Sequence, residues 1–468
     1  MIRKLRTPVL WLVLTMLAGA CGGEATGGAK DLVSRVDDMR GEEGSPETAC
    51  PELFPTDRVV QVKLGLSEEA WAGIMADPEA EEFYQGNIDF DGVLVEGVGI
   101  RTKGNSSLHF VTQMGSERLP FKVDFNRYIG GLEFCGTKKL VFNNGFKDPT
   151  LIREHLAYRL ARAFGMKASR TAFVNLTVAG RHLGLYTMVE TVDDDLFRER
   201  CFGNDDGDQY KPEPPNGSLL YAGDSFADYP SIEVENNEDT TDHAALLKML
   251  DILNHGPADE LPSVLDVDEA LRHIALDVAL TNLDSYIGNG HNYYLTEQDG
   301  VFSIILWDVN EAFGNFSCGC DQDGILNLRI YDPSCGPLDE RPLIAKLLEV
   351  AQYKDKYEDF LETLANDYMG PEVMGAWVDE AADLIRPYVE ADTTKFYSTE
   401  QFEQGIAWDD VIDPNMPMGG SAIGLKAFIA ARSTSIAAQL TGDLPADNEG
   451  KGSCGGGGPG PGPHPEKC

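Results

Sequence analysis

The chain has 468 residues, enough for one large domain or two of ordinary size, and 42% of them are hydrophobic. Against 38 Lys and Arg stand 77 Asp and Glu, a formal net charge of -39. A phosphate backbone is bound through clustered Lys and Arg, so this balance argues against a nucleic-acid partner and fits a protein outside the cytoplasm, or one that meets cations or basic partners.

The first 21 residues read as an export signal. Arg3, Lys4 and Arg6 precede the apolar run Val9 to Leu17 and then Ala18-Gly19-Ala20-Cys21. That run is too short to span a bilayer comfortably. A Cys directly after small residues resembles the lipobox of bacterial lipoproteins, although Leu17 sits one place early. Lipidation of Cys21, and with it an N-terminal anchor in a bacterial envelope or cell-surface membrane, is the expectation. Gly, Glu and Asp mark 22–54 as a flexible tether, the folded body is expected over 55–441, and a Gly/Pro-rich tail over 442–468. After Cys21 come Cys50, Cys135, Cys201, Cys318, Cys320, Cys335, Cys454 and Cys468. An even count in an exported chain predicts disulfides, with connectivity left open. Cys318-Gly319-Cys320 lacks a second close pair or a His partner, so disulfides are expected there rather than a metal site.

Within the body, Val59 to Leu64 alternates as a strand and Ser67 opens a short helix through Met75. Val93 to Arg101 and Phe121 to Phe125 are further strands, the second with Lys122 and Asp124 on the face opposite the aromatics. Ile152, Leu156, Leu160 and Phe164 recur every four places in a helix over 149–164, stopped by Gly165. Phe173 to Val178 and Leu183 to Val189 form a hairpin around Ala179-Gly180-Arg181. Residues 203–237 are polar and Gly/Pro-rich, an expected insertion or irregular segment. A helix over 268–281 leads to Leu283-Asp284-Ser285, followed by a short strand at Tyr293-Tyr294-Leu295 and a buried one from Val301 to Trp307. The pattern from 342 to 440 is mostly helical. A strand-rich first half thus precedes a helix-rich second half, joined by two acidic loops: an α+β chain with the order of a two-lobed, protein-kinase-like fold.

Phosphoryl transfer asks a protein for positioning and electrostatics: a cation and donors on the phosphates, oxygen ligands for magnesium, and an acceptor near the incoming hydroxyl. Asp284 follows a long helix, with Asn289 and Asn292 five and eight residues on; position before the strand favours Asn292, and raw spacing favours Asn289. Asp308 ends the second strand. One carboxylate and one amide oxygen suffice for magnesium, which keeps its waters and the phosphates. Taken singly, each Asp is more often a turn or cap residue. Asn204-Asp205-Asp206-Gly207-Asp208 lacks the spacing and final Glu of a calcium loop and reads as a solvated loop. His155, His182, His273 and His291 are scattered, and no Gly-x-Ser-x-Gly elbow is present.

Five ordered stretches make the pattern specific: Gly99-Ile100-Arg101-Thr102-Lys103-Gly104-Asn105-Ser106-Ser107; Leu119-Pro120-Phe121-Lys122-Val123; Leu183 to Glu190; Asn282-Leu283-Asp284 with Asn292-Tyr293-Tyr294-Leu295; and Trp307-Asp308-Val309-Asn310-Glu311-Ala312-Phe313-Gly314. Together they resemble the CotH family of kinase-like proteins, the spore coat protein H type. The resemblance implies an ATP- and magnesium-dependent kinase of protein hydroxyls. In it Asp284 would be the catalytic Asp, and Asp308 the metal ligand beside Asn292 or Asn289. Lys122 would be the nucleotide lysine, with Glu154 its foremost ion-pair partner and Asp148 and Glu190 as alternatives. Arg101, Lys103, Asn105, Ser106 and Ser107 would line the phosphate side. Family members often carry a second acidic residue two places after the metal-binding Asp, where this chain has Asn310. Two other readings stand beside this one: a degenerate kinase-like surface binding or adhesion module, and a kinase-like site that moves another group, such as a nucleotidyl group.

Overall fold

The computed structural model describes residues 50–407, 411–413 and 420–454. The export signal, Cys21, most of the expected tether and the end of the tail lie outside the described residues.

The first half is a closed barrel of seven strands: β1 (Val60–Gly65), β2 (Tyr84–Phe90), β3 (Val93–Thr102), β4 (Phe121–Asp124), β5 (Lys139–Asn143), β6 (Thr171–Val178) and β7 (Arg181–Val189). Its order is β1-β2-β3-β4-β5-β7-β6, closed by β6 running parallel to β1. Alternation builds it: Val60, Val62 and Leu64 point inward with Ile88, Phe90, Ile100, Phe121, Val123, Phe142 and Val174, and the intervening side chains point out. Asp91 and Gly92 both take the left-handed conformation that a tight two-residue hairpin requires between β2 and β3. On the outer face, Arg101 of β3 stands directly opposite Lys122 of β4.

Two short helices, α1 (Glu68–Ala76, capped by the Ser67 hydroxyl) and α2 (Ser106–Gln113), dress the barrel. The helix α3 (Arg153–Ala163) lies between β5 and β6 in the chain, yet its apolar face belongs to a second, separate core. That core contains α4 (Asp195–Phe202), α5 (Ala244–Asn254) and α6 (Val267–Ala279). It also takes in a four-stranded sheet made of β8 (Gln209–Pro212), β9 (Ile232–Asn236), β10 (Tyr293–Gln298) and β11 (Val301–Leu306), in the order β11-β10-β8-β9. Helices α7 (Gln322–Leu326), α8 (Pro342–Leu348), α9 (Ala351–Thr363), α10 (Ala376–Ala391), α11 (Thr399–Ile406) and α12 (Leu425–Leu440) complete the second half.

The expected mixed α+β order is present. Closure of the first half into a barrel is additional, since it depends on a parallel contact between strands about a hundred residues apart. The segment 203–237, expected to be irregular, supplies β8 and β9. They are four and five residues long, and β8 finds its partner in Leu295 and Thr296, far along the chain. Local patterning is too weak to mark strands that tertiary pairing selects. Within that segment Asp208 is tied to Tyr210 and Thr241, so the acidic loop is a structural cap of β8.

Three disulfides form among the described residues: Cys50–Cys135, Cys318–Cys335 and Cys320–Cys454. The last ties the expected 442–468 tail to the body about midway along it, and residues before that point are bonded into the body: Tyr331 N donates to Ala446 O at 2.9 Å and Gly452 N to Asp332 Oδ1 at 3.0 Å. The two halves are also latched. Arg118, before β4, is fully buried and pairs with Asp392, after α10, at 2.6 Å. Asp392 fills the space over Gly184, which has φ +82, so that a Cβ there would lie 2.1 Å from the carboxylate.

Candidate active site

Asp284 stands at the start of the loop that leaves α6. The loop folds back on itself: Asn289 N and Gly290 N both donate to Ser285 O, at 3.1 and 3.0 Å, and Ser285 Oγ donates to Asn282 O. Gly288 permits this return, because a Cβ would sit 1.7 Å from Leu283 O. The turn brings His291 and Asn292 beside Asp284. His291 Nε2 lies 2.9 Å from Asp284 Oδ1, and Asn292 Nδ2 donates to Asp284 O at 2.8 Å and to Oδ2 at 3.3 Å. Asn289 is also a donor to the carboxylate. Both asparagines weighed from the sequence are therefore at Asp284.

Burial alone would raise the Asp284 carboxyl, but the His291 contact and the charge of Lys147 outweigh it and hold it below its ordinary value. For His291 burial opposes the charged ring, and Asp284, with Glu213 and Asp308 behind it, overrides that and raises the imidazole.

Asp308 follows β11 in a left-handed conformation, φ 51, and its N–H donates to Tyr158 Oη on α3 at 3.1 Å. One turn earlier on α3, Glu154 accepts from Asn143 Nδ2 at 2.8 Å, and Asn143 Oδ1 accepts from Lys103 Nζ at 3.0 Å. Lys103 also stands over the Trp307 ring, 5.9 Å from its centre. Burial first, and then the neighbouring Asp308 charge, push Glu154 up to about 8. Glu311, three residues past Asp308, is buried against Lys147 at 2.9 Å. Burial pushes it up to about 7; Lys147 works against the rise, and Asp284 and Asp308 add to it.

Lys122 is elsewhere. It faces Asp193 at 3.8 Å, which also binds Lys139, so the expected Lys122–Glu154 pair is not the one the fold makes. The reason is register: Lys122 is on the outer face of β4, over the segment that follows β7, while Glu154 is carried by α3 into the second core. The alternatives are engaged too, Asp148 by Arg153 and Glu190 by Arg170 and Arg200. Arg101 is held by Glu81 and lies over the Phe83 ring. Asn105, Ser106 and Ser107 open α2 and make no hydrogen bond to the Asp284–Asp308 group.

The chain thus gathers Asp284, Asp308, Glu154 and Glu311 around Lys103, Lys147 and His291. Sequence reasoning passed over four of the participants. Glu311 is next to the Asn310 already weighed; His291 immediately precedes Asn292; Lys147 sits in the turn between β5 and α3; Asn143 ends β5. An open groove of about 460 Å³ on the barrel, over Gly65, Ser67, Gln85 and Gly97, shares no residue with this cluster and has no titratable side chain.

A family model described as CotH kinase protein matches residues 100–414. The chain belongs to the CotH kinase family. Inner spore coat protein H of Bacillus subtilis (strain 168) is 25% identical over 296 residues, 58% of this chain and 74% of that protein. Two proteins of Rhizopus delemar are similar at lower coverage of their own length. Invasin CotH2 is 23% identical over 351 residues, 65% of this chain and 56% of the invasin. Invasin CotH3 is 22% identical over 366 residues, 72% of this chain and 59% of the invasin. The CotH match begins at the end of β3 and takes in the whole carboxylate cluster, whereas β1 and β2 precede it.

Membership in a kinase family raises the question of a nucleotide and its metal. Among the described residues no three of His, Cys, Asp and Glu are grouped so as to hold a metal ion by themselves. Magnesium does not require it, because one or two carboxylates suffice when phosphates and waters complete the shell. Asp308 and Asn292, the residues expected from the sequence to hold magnesium, carry oxygen donors of the kind it takes. Burial raises Glu154 to about 8 and Glu311 to about 7, and the Asp308 charge adds to both shifts, so the carboxylates here stand in a buried, negatively charged setting that a cation would ease. The residues fit such an ion.

Proposed function

We propose that this chain is an exported, lipid-anchored enzyme that transfers the terminal phosphoryl group of ATP to hydroxyls of an acceptor protein, with magnesium bound. The observation that carries the reading is the convergence of Asp284, paired with His291 and Asn292, and Asp308 on one charge cluster that both carboxylates reach. Asp284 is the group that receives the acceptor's hydroxyl proton; its ionised state and fixed rotamer suit that task. Asp308 and the Asn292 amide oxygen would hold the metal, which when bound supplies charge neutralisation on the phosphates. Lys103, beside Trp307 and Asn143, is the signature-loop lysine closest to Asp308's neighbourhood. Lys122 serves the nucleotide from the Asp193 side. Export rests on the basic-apolar start and Cys21; no described helix is long and apolar enough to cross a membrane.

The reading is tested by calorimetry on the full chain, with ATP in the presence and absence of magnesium, beside Asp308→Ala. Magnesium-dependent binding that disappears in the variant supports it. A folded wild-type chain that binds no ATP at millimolar concentration sinks it in favour of a surface binding module. That second reading draws on the net charge of -39 and on relatives named as invasins. Mass spectrometry of a modified acceptor separates phosphoryl from nucleotidyl transfer.

A further inference from the structure

We propose that Lys147 is a further catalytic residue, whose ammonium contacts the phosphoryl group in transit while Glu311 holds it in place. This rests on the kinase reading above. Lys147 belongs to the barrel half of the chain, yet its side chain is planted in the second half's carboxylate cluster, with Nζ 2.9 Å from Glu311 Oε1. Glu311 takes one direction of an ammonium that has three donors.

The turn that carries it is built to a fixed shape. Phe146 N donates to Asn144 Oδ1 at 3.1 Å. Asp148 accepts from Thr150 N and Arg153 N at 2.9 Å each, and its Oδ1 takes Arg153 Nη1 at 2.6 Å. Arg153 is wholly buried and reaches Ile423 O across the molecule. Lys147 itself is left-handed, φ 64, and Asn315 Nδ2 donates to its carbonyl at 2.9 Å. A non-glycine residue held in that region stores strain that the surroundings must over-determine, which is characteristic of functional positions.

Position also selects it. Its partner Glu311 lies three residues past Asp308, in the turn that follows β11. His291 is committed to Asp284 Oδ1, and Lys147 brings a second cation into the cluster through Glu311. During transfer the acceptor oxygen bonds to phosphorus as the bond to the departing nucleoside diphosphate breaks, and the hydroxyl proton passes to Asp284. Negative charge then spreads over the three equatorial oxygens, and a preorganised cation there favours the transition state over the ground state. A purely structural buried ion pair would have a different consequence: both partners could be replaced by neutral side chains of similar volume at little cost.

That contrast is the experiment. Phosphoryl transfer from labelled ATP to casein and to the chain's own hydroxyls is followed for the full-length protein and for Lys147→Met, Glu311→Gln, the double variant and Lys147→Arg, with melting temperatures alongside. The expected result is a loss of about 10²- to 10³-fold in kcat for Lys147→Met, with KM for ATP within about threefold. The double variant regains the melting temperature without regaining kcat, and Lys147→Arg recovers part of it. A double variant with kcat near the wild-type value would overturn the proposal, since Lys147 would then only neutralise Glu311. A wild-type chain that transfers nothing overturns the kinase reading itself, and this proposal with it, so the two failures are distinguishable.

Discussion

Two buried charge clusters in this molecule meet the same electrostatic problem in opposite ways. Asp193, in the segment that joins the halves, lies between Lys122 and Lys139. Burial opposes its ionisation, but the two lysines overcome that and depress it to about 2. At the candidate active site Glu154 and Glu311 are raised to about 8 and about 7, with burial as the leading cause and other carboxylates adding to it. Not every group near Asp193 is comfortable, since burial also raises Asp194 to about 7 and lifts Glu235. The contrast still holds at the centre of each cluster. One carboxylate is held ionised by two lysines against its burial, whereas in the other set burial outweighs the cations at hand.

The largest expected effect is on turnover. Asp308→Ala should lower phosphoryl transfer by at least about 10³-fold while the melting temperature stays within a few degrees, read by labelled-ATP assay and calorimetry. Wild-type turnover in this variant would remove Asp308 from the metal-binding role.

The second effect separates the clusters by pH. A carboxyl raised in the folded state binds its proton more tightly there than in the unfolded chain. Stability from Glu154 is therefore complete below about pH 4.5 and is lost as pH climbs towards 8. Glu154→Gln should leave stability near wild type at pH 4.5 and raise it at pH 8.5 by an amount on the order of 3 kcal/mol, measured by urea unfolding. Equal shifts at both pH values would show that Glu154 ionises normally.

Asp193 has the reverse sign. Its pKa is lowered on folding, so its contribution is present above about pH 4 and is lost as pH falls towards 2. Asp193→Asn should cost about 2 kcal/mol at pH 7, less than a fully buried pair because Lys122 and Lys139 retain 19% and 24% exposure. The cost should vanish at the acid end. No loss at neutral pH would mean that the lysines find other partners.

The smallest effect sharpens the comparison most directly. Magnesium with ATP at about ten times the dissociation constant should stabilise the wild-type chain by about 1.4 kcal/mol, seen as a rise in melting temperature. The rise should be larger at pH 8.5, where Glu154 and Glu311 are ionised, than at pH 5.5. An equal rise at both would disconnect the raised carboxyls from cation binding.

Local signals in the sequence determined much of this. The alternation of β1, β3 and β4, the four-residue spacing of α3, and the Asp at the end of each buried run are readable because side-chain periodicity follows backbone geometry within a few residues. Asp284, Asp308 and both asparagines were legible for the same reason. What only the tertiary structure decided is pairing at a distance: the parallel closure of β6 on β1, the recruitment of β8 and β9 into the second sheet, and the choice of Asp193 over Glu154 for Lys122. It also decided that Lys147, Glu311, His291 and Asn143 meet. Each lies in a turn or at an element's end, where periodicity carries no information, and long-range contacts fix which charge faces which. Charge patterns are read along the chain, but the energy of a buried charge depends on what stands across from it.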